Sequence, residues 1–164
     1  MKCTTPPGVV FFYMERFINM IALLQRVNFA DITVDGSCIA SMKNGVLAFI
    51  AFEKGDTAEK SRRMLDRILK YRIFSDSEGK MNLNVNEAGG NLMLVSQFTL
   101  AANTDRGNRP SFDPAMPPQE ARQMYDELVA YARSVKPGVQ TGEFSADMKI
   151  RLENDGPVTI SLHI

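Results

Sequence analysis

The sequence predicts a single α+β domain in which a sheet dominates and two helices cover its faces. The chain has 164 residues, which is enough for one domain with a substantial core and short for two. Two segments have the 3.6-residue periodicity of amphipathic helices, and most other apolar segments are short runs of strand length. No internal repeat or linker divides the chain, so these elements are expected to share one core.

The strands are predicted from apolar and alternating runs that end at turn residues. Residues 45–52 and 91–95 are continuous apolar runs, which are typical of buried strands. The Asp35–Gly36 dipeptide follows an alternating run and predicts a hairpin turn. Further strands are expected at 21–27, 31–37, 139–144, 148–152 and 158–163.

The first helix is predicted over residues 58–71, with Asp56 or Thr57 as its N-terminal cap. Its basic residues allow two interpretations: a solvated helix face, or a platform where positive charge meets the phosphates of a bound RNA. The pattern leaves both open. The predicted buried stripe consists of Ser61, Met64, Leu65, Ile68 and Leu69, and the basic residues off it are Lys60, Arg62, Arg63, Arg67 and Lys70.

The second helix is predicted to begin at Pro117–Pro118, since proline suits the first turn of a helix. Residues 136–138, Lys-Pro-Gly, are expected to end it. Its predicted apolar face consists of Ala121, Met124, Tyr125, Leu128 and Ala132.

Charge and composition restrict the possible partners. The 19 basic and 19 acidic residues balance, so an extended grip on nucleic acid through its phosphates is not expected, and any contact with RNA should be local, at an end. Cys3 and Cys38 make no disulfide framework, which is typical of a cytoplasmic protein. No apolar run is long enough to span a membrane.

The groups that most hydrolases use for catalysis are missing from the sequence. His163 is the only histidine, so a zinc site would need mostly carboxylates, and a Ser-His-acid triad would have to recruit this residue. No Gly-x-Ser-x-Gly elbow and no phosphate-binding Gly-x-x-x-x-Gly-Lys-Ser/Thr loop is present. We therefore expect no metal, no cofactor and no histidine-based acid–base catalysis.

Two short segments stand out as candidate functional motifs. Residues 96–100, Ser-Gln-Phe-Thr-Leu, follow the buried run at 91–95 and place polar groups at a strand end. Residues 154–159, Asn-Asp-Gly-Pro-Val-Thr, are expected to form a turn before the last strand. From the residues alone, the first segment could equally be a core strand with satisfied polar groups, and the second an ordinary turn.

Together these motifs resemble those of the D-aminoacyl-tRNA deacylases, which hydrolyse the ester that links a D-amino acid to tRNA. The resemblance covers about residues 20–164 and includes further segments at 71–74, 79–82, 106–112 and 141–144. It implies a barrel-like sheet, antiparallel or mixed, and a homodimer that acts on the aminoacylated 3′ end of tRNA without a metal. An activated ester needs little more than a placed nucleophile and a stabilised oxyanion, and the family's mechanism relies largely on the RNA's own 2′-hydroxyl.

The resemblance also assigns the catalytic candidates. Ser96 and Gln97 would contact the terminal adenosine and the ester carbonyl, and Phe98 would offer its backbone N–H to the oxyanion. Thr99 completes the set. It is not expected to be the nucleophile, because strand alternation would turn it away from the face of Phe98 and no base is visible to activate it.

Gly156 and Pro157 are assigned to the stereochemical filter. In the family the Gly-Pro bond is cis and its carbonyl groups project into the partner subunit's pocket, where an L side chain would clash. Glycine has no side chain to clash, so glycyl-tRNA should be a second substrate. Arg26 would lock the partner's Gly-Pro loop, and Ala121 and Phe144 would line the adenosine pocket.

Residues 1–19 are expected to be an upstream extension of the domain, with Met20 as the functional start. Two rival functions remain beside the enzyme: a non-catalytic dimer that binds the terminal adenosine of an RNA, and an inert structural dimer. Release of the amino acid from D-aminoacyl-tRNA would distinguish the enzyme from both of these alternatives.

Overall fold

The computed structural model describes residues 20–164, so the extension predicted for residues 1–19 lies outside the described residues. The domain contains seven strands and two α-helices within this range. The strands are β1 (Ile21–Val34), β2 (Ser37–Ala51), β3 (Phe74–Ser75), β4 (Met81–Leu83), β5 (Asn91–Ser96), β6 (Gln140–Thr141) and β7 (Met148–His163); the helices are α1 (Ala58–Lys70) and α2 (Pro118–Val135).

A long antiparallel hairpin forms the centre of the domain. β1 and β2 pair along their whole length and turn at Asp35–Gly36, where both residues have positive φ, 48° and 79°. This is the backbone that a tight Asp-Gly hairpin turn requires, so the predicted turn is confirmed. The strand predicted at 21–27 and residues 31–34 of the next predicted strand are parts of the single strand β1, because pairing with β2 continues across the residues between them. Residues 35–37 form the turn and the first residue of β2.

The main sheet is mixed and has the order β6-β5-β2-β1-β7. β1 runs antiparallel to both of its neighbours, whereas β5 runs parallel to β2 and to β6. A separate small hairpin joins β3 and β4, and the sequence patterns did not predict it. The strand predicted at 139–144 is limited to Gln140–Thr141, because only these residues pair with β5.

The two helices cover one face of the sheet, as predicted. Thr57 caps α1, since its hydroxyl accepts a hydrogen bond from the backbone N–H of Lys60 at 3.2 Å. All five residues of the predicted stripe on α1 are buried. On α2, Met124 is only half-buried and Val129 is buried instead. Within residues 20–164, neither helix combines the length and apolar character needed to cross a membrane.

The apolar core lies on both faces of the sheet. The larger cluster packs β1, β2 and β5 against the helices through side chains such as Leu24, Ile50 and Leu94. A smaller cluster on the other face includes Ile32, Leu47 and Met93. Each fully buried side chain of this size contributes roughly 2 kcal/mol to folding, so both faces hold the sheet rigidly where the candidate motifs emerge.

The second motif does not form a turn between two strands, and this prediction is wrong. β7 runs continuously from Met148 to His163 and pairs with β1 on both sides of the motif. Gln25 pairs with Thr159 and Val27 with Asn154, so residues 155–158 all lie opposite Arg26. The motif is therefore an insertion that bulges from a paired strand, a feature that re-aims backbone groups without ending the strand.

Candidate active site

The first motif lies at the C-terminal end of β5. The backbone N–H of Gln97 donates to the carbonyl oxygen of Ile50 at 2.7 Å, which continues the pairing of β5 with β2 for one more residue. The chain then turns into a short 3-10 helix over Phe98–Ala101. The expectation that strand alternation turns Thr99 away from the face of Phe98 is therefore wrong, because neither residue lies in the strand.

A pocket of about 400 Å³ opens beside this strand end. It brings together five of the nine predicted site residues, three from the motif and two from α2 and the segment after β6. Ile50, Phe52 and Met116 add apolar lining. The five site residues are Ser96, Gln97, Phe98, Ala121 and Phe144.

The motif presents hydrogen-bonding groups at this pocket. Ser96 and Gln97 are half-buried, and the side-chain amide of Gln97 donates to the hydroxyl of Thr99. Phe98 is the first residue of the 3-10 helix, so its N–H lies outside the hydrogen-bond pattern of that helix. Thr99 is exposed and does not line the pocket. Its observed role is to hold the amide of Gln97.

Two exposed aromatic rings lie beside the strand end. Phe98 is 56% exposed and Phe112 is 38% exposed. Their rings meet edge to face with centroids 5.0 Å apart. This is a favourable arrangement for an aromatic pair, and it supports the backbone of Phe98.

The pocket lining at Ala121 and Phe144 depends on α2 and on the segment after β6. Ala121 is in the first turns of α2, and the ring of Tyr125 lies 5.9 Å from the ring of Phe144. Tyr125 is buried, and its hydroxyl donates to the carbonyl oxygen of Leu94 at 2.8 Å. Burial raises the pKa of the Tyr125 phenol, so it remains a neutral donor. Sequence patterns assigned Tyr125 only to the helix core.

The Gly156–Pro157 loop is exposed and is held by an arginine beneath it. The peptide bond between the two residues is cis, as the resemblance implies. Arg26 Nε lies 3.0 Å from both the carbonyl oxygen and a carboxylate oxygen of Asp155. Arg26 Nη1 donates to the carbonyl oxygen of Ile73 at 2.7 Å. The loop is thereby tied to the segment that follows α1.

The side chain of Asn154 holds the two ends of the same loop together through hydrogen bonds to the backbone of Val158. Its side-chain oxygen accepts from the N–H of Val158 at 2.7 Å, and its amide donates to the carbonyl oxygen of Val158 at 3.1 Å. Gly156 has φ +147°, and a β-carbon on it would lie 2.7 Å from the backbone nitrogen of Val158. Only glycine fits this position without a shift of the backbone.

The structure separates the two motifs within one chain. Gly156, Pro157 and Arg26 do not line the pocket at the end of β5. The resemblance implies that Arg26 locks the partner's loop, but its contacts here are with the loop of its own chain. The register of the sheet places Arg26 directly opposite residues 155–158 of its own chain.

The histidine, the possible metal ligands and the basic face of α1 supply no further chemistry to the pocket. His163 bonds to the hydroxyl of Ser161 at 2.9 Å, and neither lines the pocket. Across residues 20–164, no three His, Cys, Asp or Glu side chains lie close enough together to hold a metal ion. On α1, Arg62 lies over the ring of Tyr131 and Arg67 donates to the carbonyl oxygen of His163. The RNA platform stays a prediction.

Comparison with known proteins supports the resemblance. The family model described as D-Tyr-tRNA(Tyr) deacylase matches residues 23–163. A D-aminoacyl-tRNA deacylase of Acinetobacter baumannii (strain ACICU) is 53% identical over 145 residues, which are 88% of this chain and 99% of that protein. Another, from Dichelobacter nodosus, is 50% identical over 145 residues, 88% of this chain and all of that protein.

Two solved structures share the fold. One, described as c-Myc DNA Unwinding Element Binding Protein, has a TM-score of 0.83 and 34% identity, and the match covers 87% of this chain and 97% of that one. The other, a probable eukaryotic D-amino acid tRNA deacylase, has a TM-score of 0.78 at 18% identity, covering 89% and 100%. The second likeness concerns the fold alone. From the family model and the close relatives, the chain belongs to the D-Tyr-tRNA(Tyr) deacylase family.

Proposed function

We propose that this protein hydrolyses the ester bond of D-aminoacyl-tRNA and of glycyl-tRNA, releasing the free amino acid and tRNA. The proposal includes a homodimer that works in the cytoplasm, where aminoacylated tRNA is used. It needs neither a metal nor a cofactor. Family membership supports the reaction class, and the pocket at the end of β5 supports the assignment of residues.

The observation that carries the proposal is that one pocket has both polar and apolar lining residues from the predicted site. Ser96 and Gln97 line it with hydrogen-bonding side chains, and Phe98, Ala121 and Phe144 line it with apolar ones. The 3′ end of an aminoacyl-tRNA has the same division, with a polar ester beside an aromatic base. A pocket of about 400 Å³ lies within the range of small-ligand sites, roughly 300–1,000 Å³.

The proposed mechanism needs only placement and charge stabilisation. Water adds to the ester carbonyl carbon, guided by the neighbouring ribose 2′-hydroxyl. The N–H of Phe98 donates to the oxyanion, while Ser96 and Gln97 hold the ester and the terminal nucleotide. The ester C–O bond then breaks, and the ribose 3′-oxygen leaves with a proton. One well-placed oxyanion donor is worth about 3 kcal/mol, or at least about a hundredfold in rate.

The proposed chiral filter is the Gly156–Pro157 loop of the partner subunit. Three features of the loop support this role: it is exposed, it is fixed by Arg26 and Asn154, and it lies away from the pocket of its own chain. A rigid backbone close to the substrate Cα rejects an L side chain by collision. Glycine passes the filter because it has no side chain.

Mixed dimers test whether the filter acts across the interface. Gln97→Ala damages the pocket and leaves the loop intact, whereas Gly156→Ala does the reverse. Co-expression of the two should produce mixed dimers with one intact pocket completed by one intact loop. We expect these dimers to regain D-selective hydrolysis that neither variant has alone. If selectivity does not return, the loop acts within its own chain or not at all.

The second candidate function is a non-catalytic protein that holds the end of a nucleic acid. One observation favours it: a relative with 34% identity is described as a DNA element binding protein. Incubation with D-tyrosyl-tRNA separates the two candidates. The enzyme should release free D-tyrosine at the same rate with and without EDTA, and glycyl-tRNA should also be cleaved. Binding of tRNA with no release of amino acid would favour the second candidate.

A further inference from the structure

We propose that Arg122 is a positioning residue that fixes Phe144, so that its ring receives the base of the terminal nucleotide in the pocket that it lines. The inference rests on the proposed function and deepens it. Neither motif contains Arg122, and it is not one of the residues of the predicted apolar face of α2. Its contacts in the structure give it a specific task.

Arg122 holds both the backbone and the ring of Phe144. Its Nη2 donates to the carbonyl oxygen of Phe144 at 3.2 Å. The guanidinium carbon also lies 4.9 Å from the centroid of the Phe144 ring, within the range of a cation–π contact. One exposed side chain thereby restrains a residue that lines the pocket.

Phe144 lies outside the sheet, in a short turn that one backbone hydrogen bond closes, from the N–H of Ala146 to the carbonyl oxygen of Glu143 at 3.3 Å. It follows β6, which has only two residues, and precedes Ser145, which has a positive φ of 65°. Sheet pairing therefore ends before Phe144 and resumes only at Met148. A segment held by few backbone bonds samples more conformations than a paired strand, and an aromatic wall on it would be poorly placed without an external contact.

Helix α2 also connects Phe144 to the end of β5, where the ester is proposed to bind. Tyr125 lies one turn after Arg122, with its ring against Phe144 and its hydroxyl bonded to the carbonyl oxygen of Leu94. That oxygen also accepts from the N–H of Gly142 at 2.9 Å. Leu94 lies two residues before Ser96, so α2 sets the distance between the base-binding ring and the ester-binding strand end.

The chemistry of the contact suits a nucleobase. The cation lies against one face of the ring, and Phe144 lines the pocket. Nucleobases stack on aromatic side chains with little dependence on their identity. Loss of Arg122 should therefore weaken binding of the nucleotide and leave the bond-breaking groups in place.

The test compares two esters and three variants. The esters are D-tyrosyl-adenosine and a D-tyrosyl ester of methyl riboside, which keeps the ribose hydroxyls and lacks the base. Arg122→Ala should raise KM for the adenosine ester about five- to tenfold, with kcat within about twofold, and should leave the ester without a base unchanged. Arg122→Lys keeps the charge and should restore part of the affinity. Arg133→Ala removes an exposed arginine from the same helix and should behave as the wild type.

Equal losses on both esters in Arg122→Ala, or no loss on either, would overturn the proposal. A separate titration with adenosine 5′-monophosphate distinguishes failure of the positioning role from failure of the proposed hydrolase function. If the wild type cleaves neither ester yet binds the nucleotide, and Arg122→Ala binds it about five- to tenfold more weakly, the hydrolase proposal fails and the positioning role stands. Unchanged nucleotide binding in Arg122→Ala overturns the positioning role.

Discussion

Arg26 and Asp155 form a partly buried ion pair beneath the Gly-Pro loop, with Nε 3.0 Å from both the carbonyl and a carboxylate oxygen of Asp155. The Arg26 side chain is 12% exposed, against 48% for Asp155. The same guanidinium reaches Ile73. The N–H groups of Arg26 donate to acceptors on Asp155 and Ile73, which lie on two different segments. The contacts of Arg26 therefore set the position of the Gly-Pro loop. The planar fork of arginine suits this task, and the point charge of lysine does not.

Arg26→Lys should therefore loosen the filter. We expect the ratio of kcat/KM for D-tyrosyl-tRNA over L-tyrosyl-tRNA to fall about tenfold or more, because small misplacements of a positioning group have large effects. Loss of charge-assisted hydrogen bonds should also lower the free energy of unfolding by about 1.5–3 kcal/mol. Gln25→Ala, which removes a neighbouring bond to Thr159, is the control and should keep the ratio. An unchanged ratio in Arg26→Lys would remove Arg26 from the filter.

Gly156→Ala should impair selectivity through backbone geometry alone. The added β-carbon would lie 2.7 Å from the backbone nitrogen of Val158, so the loop must shift. Gly138→Ala is the matched control, since Gly138 also has positive φ, +81°, with open space around it. Gly138→Ala should lose about 1–2 kcal/mol of stability through its positive φ, and Gly156→Ala should lose at least as much, because the clash adds to the backbone strain. Only Gly156→Ala should lower the D-to-L ratio, and parallel losses of selectivity in both would contradict the role of the loop.

Thr99 variants test whether its hydroxyl is a nucleophile. Thr99→Val removes the acceptor of the Gln97 amide and should slow hydrolysis of D-tyrosyl-tRNA no more than about tenfold, the worth of one hydrogen bond. Thr99→Ser keeps the hydroxyl and should remain near the wild-type rate. Single-turnover rates give the comparison. Complete loss of activity in Thr99→Val, with an acyl-enzyme trapped in the wild type, would make Thr99 the nucleophile.

The loop around Asp76 should open in acid. Hydrogen bonds from the backbone N–H of Lys80 and from the amide of Asn82 hold the pKa of Asp76 below its ordinary value of 3.8. A lowered folded pKa means that the carboxylate stabilises the loop above pH 3.8, and that this stabilisation is lost as pH falls through the folded pKa. The protection of the Glu78 and Lys80 amides against hydrogen exchange, relative to an unfolded peptide at the same pH, should therefore fall below about pH 4. Asp76→Asn should remove this pH dependence; an identical acid response in that variant would assign the opening to other groups.

Local sequence patterns predicted the features that depend on local geometry. The stripe on α1, the cap at Thr57 and the turn at Asp35–Gly36 each follow from residues within a few positions of one another. The prediction of one sheet-dominated α+β domain with two helices followed from the strands and helices taken together. These signals are reliable because helix periodicity and turn chemistry act over a single turn of chain.

The features that sequence patterns missed depend on distant pairing. Asn154–Pro157 reads as a turn, but pairing with β1 on both sides carries β7 through it. Phe98 follows a strand yet enters a 3-10 helix. The contact of Arg122 with Phe144 joins residues 22 positions apart, and no local pattern signals it. The functional role of the two motifs was predicted only from the family resemblance, because Gln97 and Pro157 belong to no helical or strand periodicity that would mark them.

The most direct test of the proposed reaction compares single-turnover hydrolysis of D-tyrosyl-tRNA and L-tyrosyl-tRNA by the wild type and by Gln97→Ala. We expect the wild type to cleave only the D ester rapidly, and Gln97→Ala to cleave it about a hundredfold more slowly with its fold intact by circular dichroism. Equal and negligible rates on both esters in the wild type would contradict the enzyme assignment. Equal rapid rates would contradict the filter.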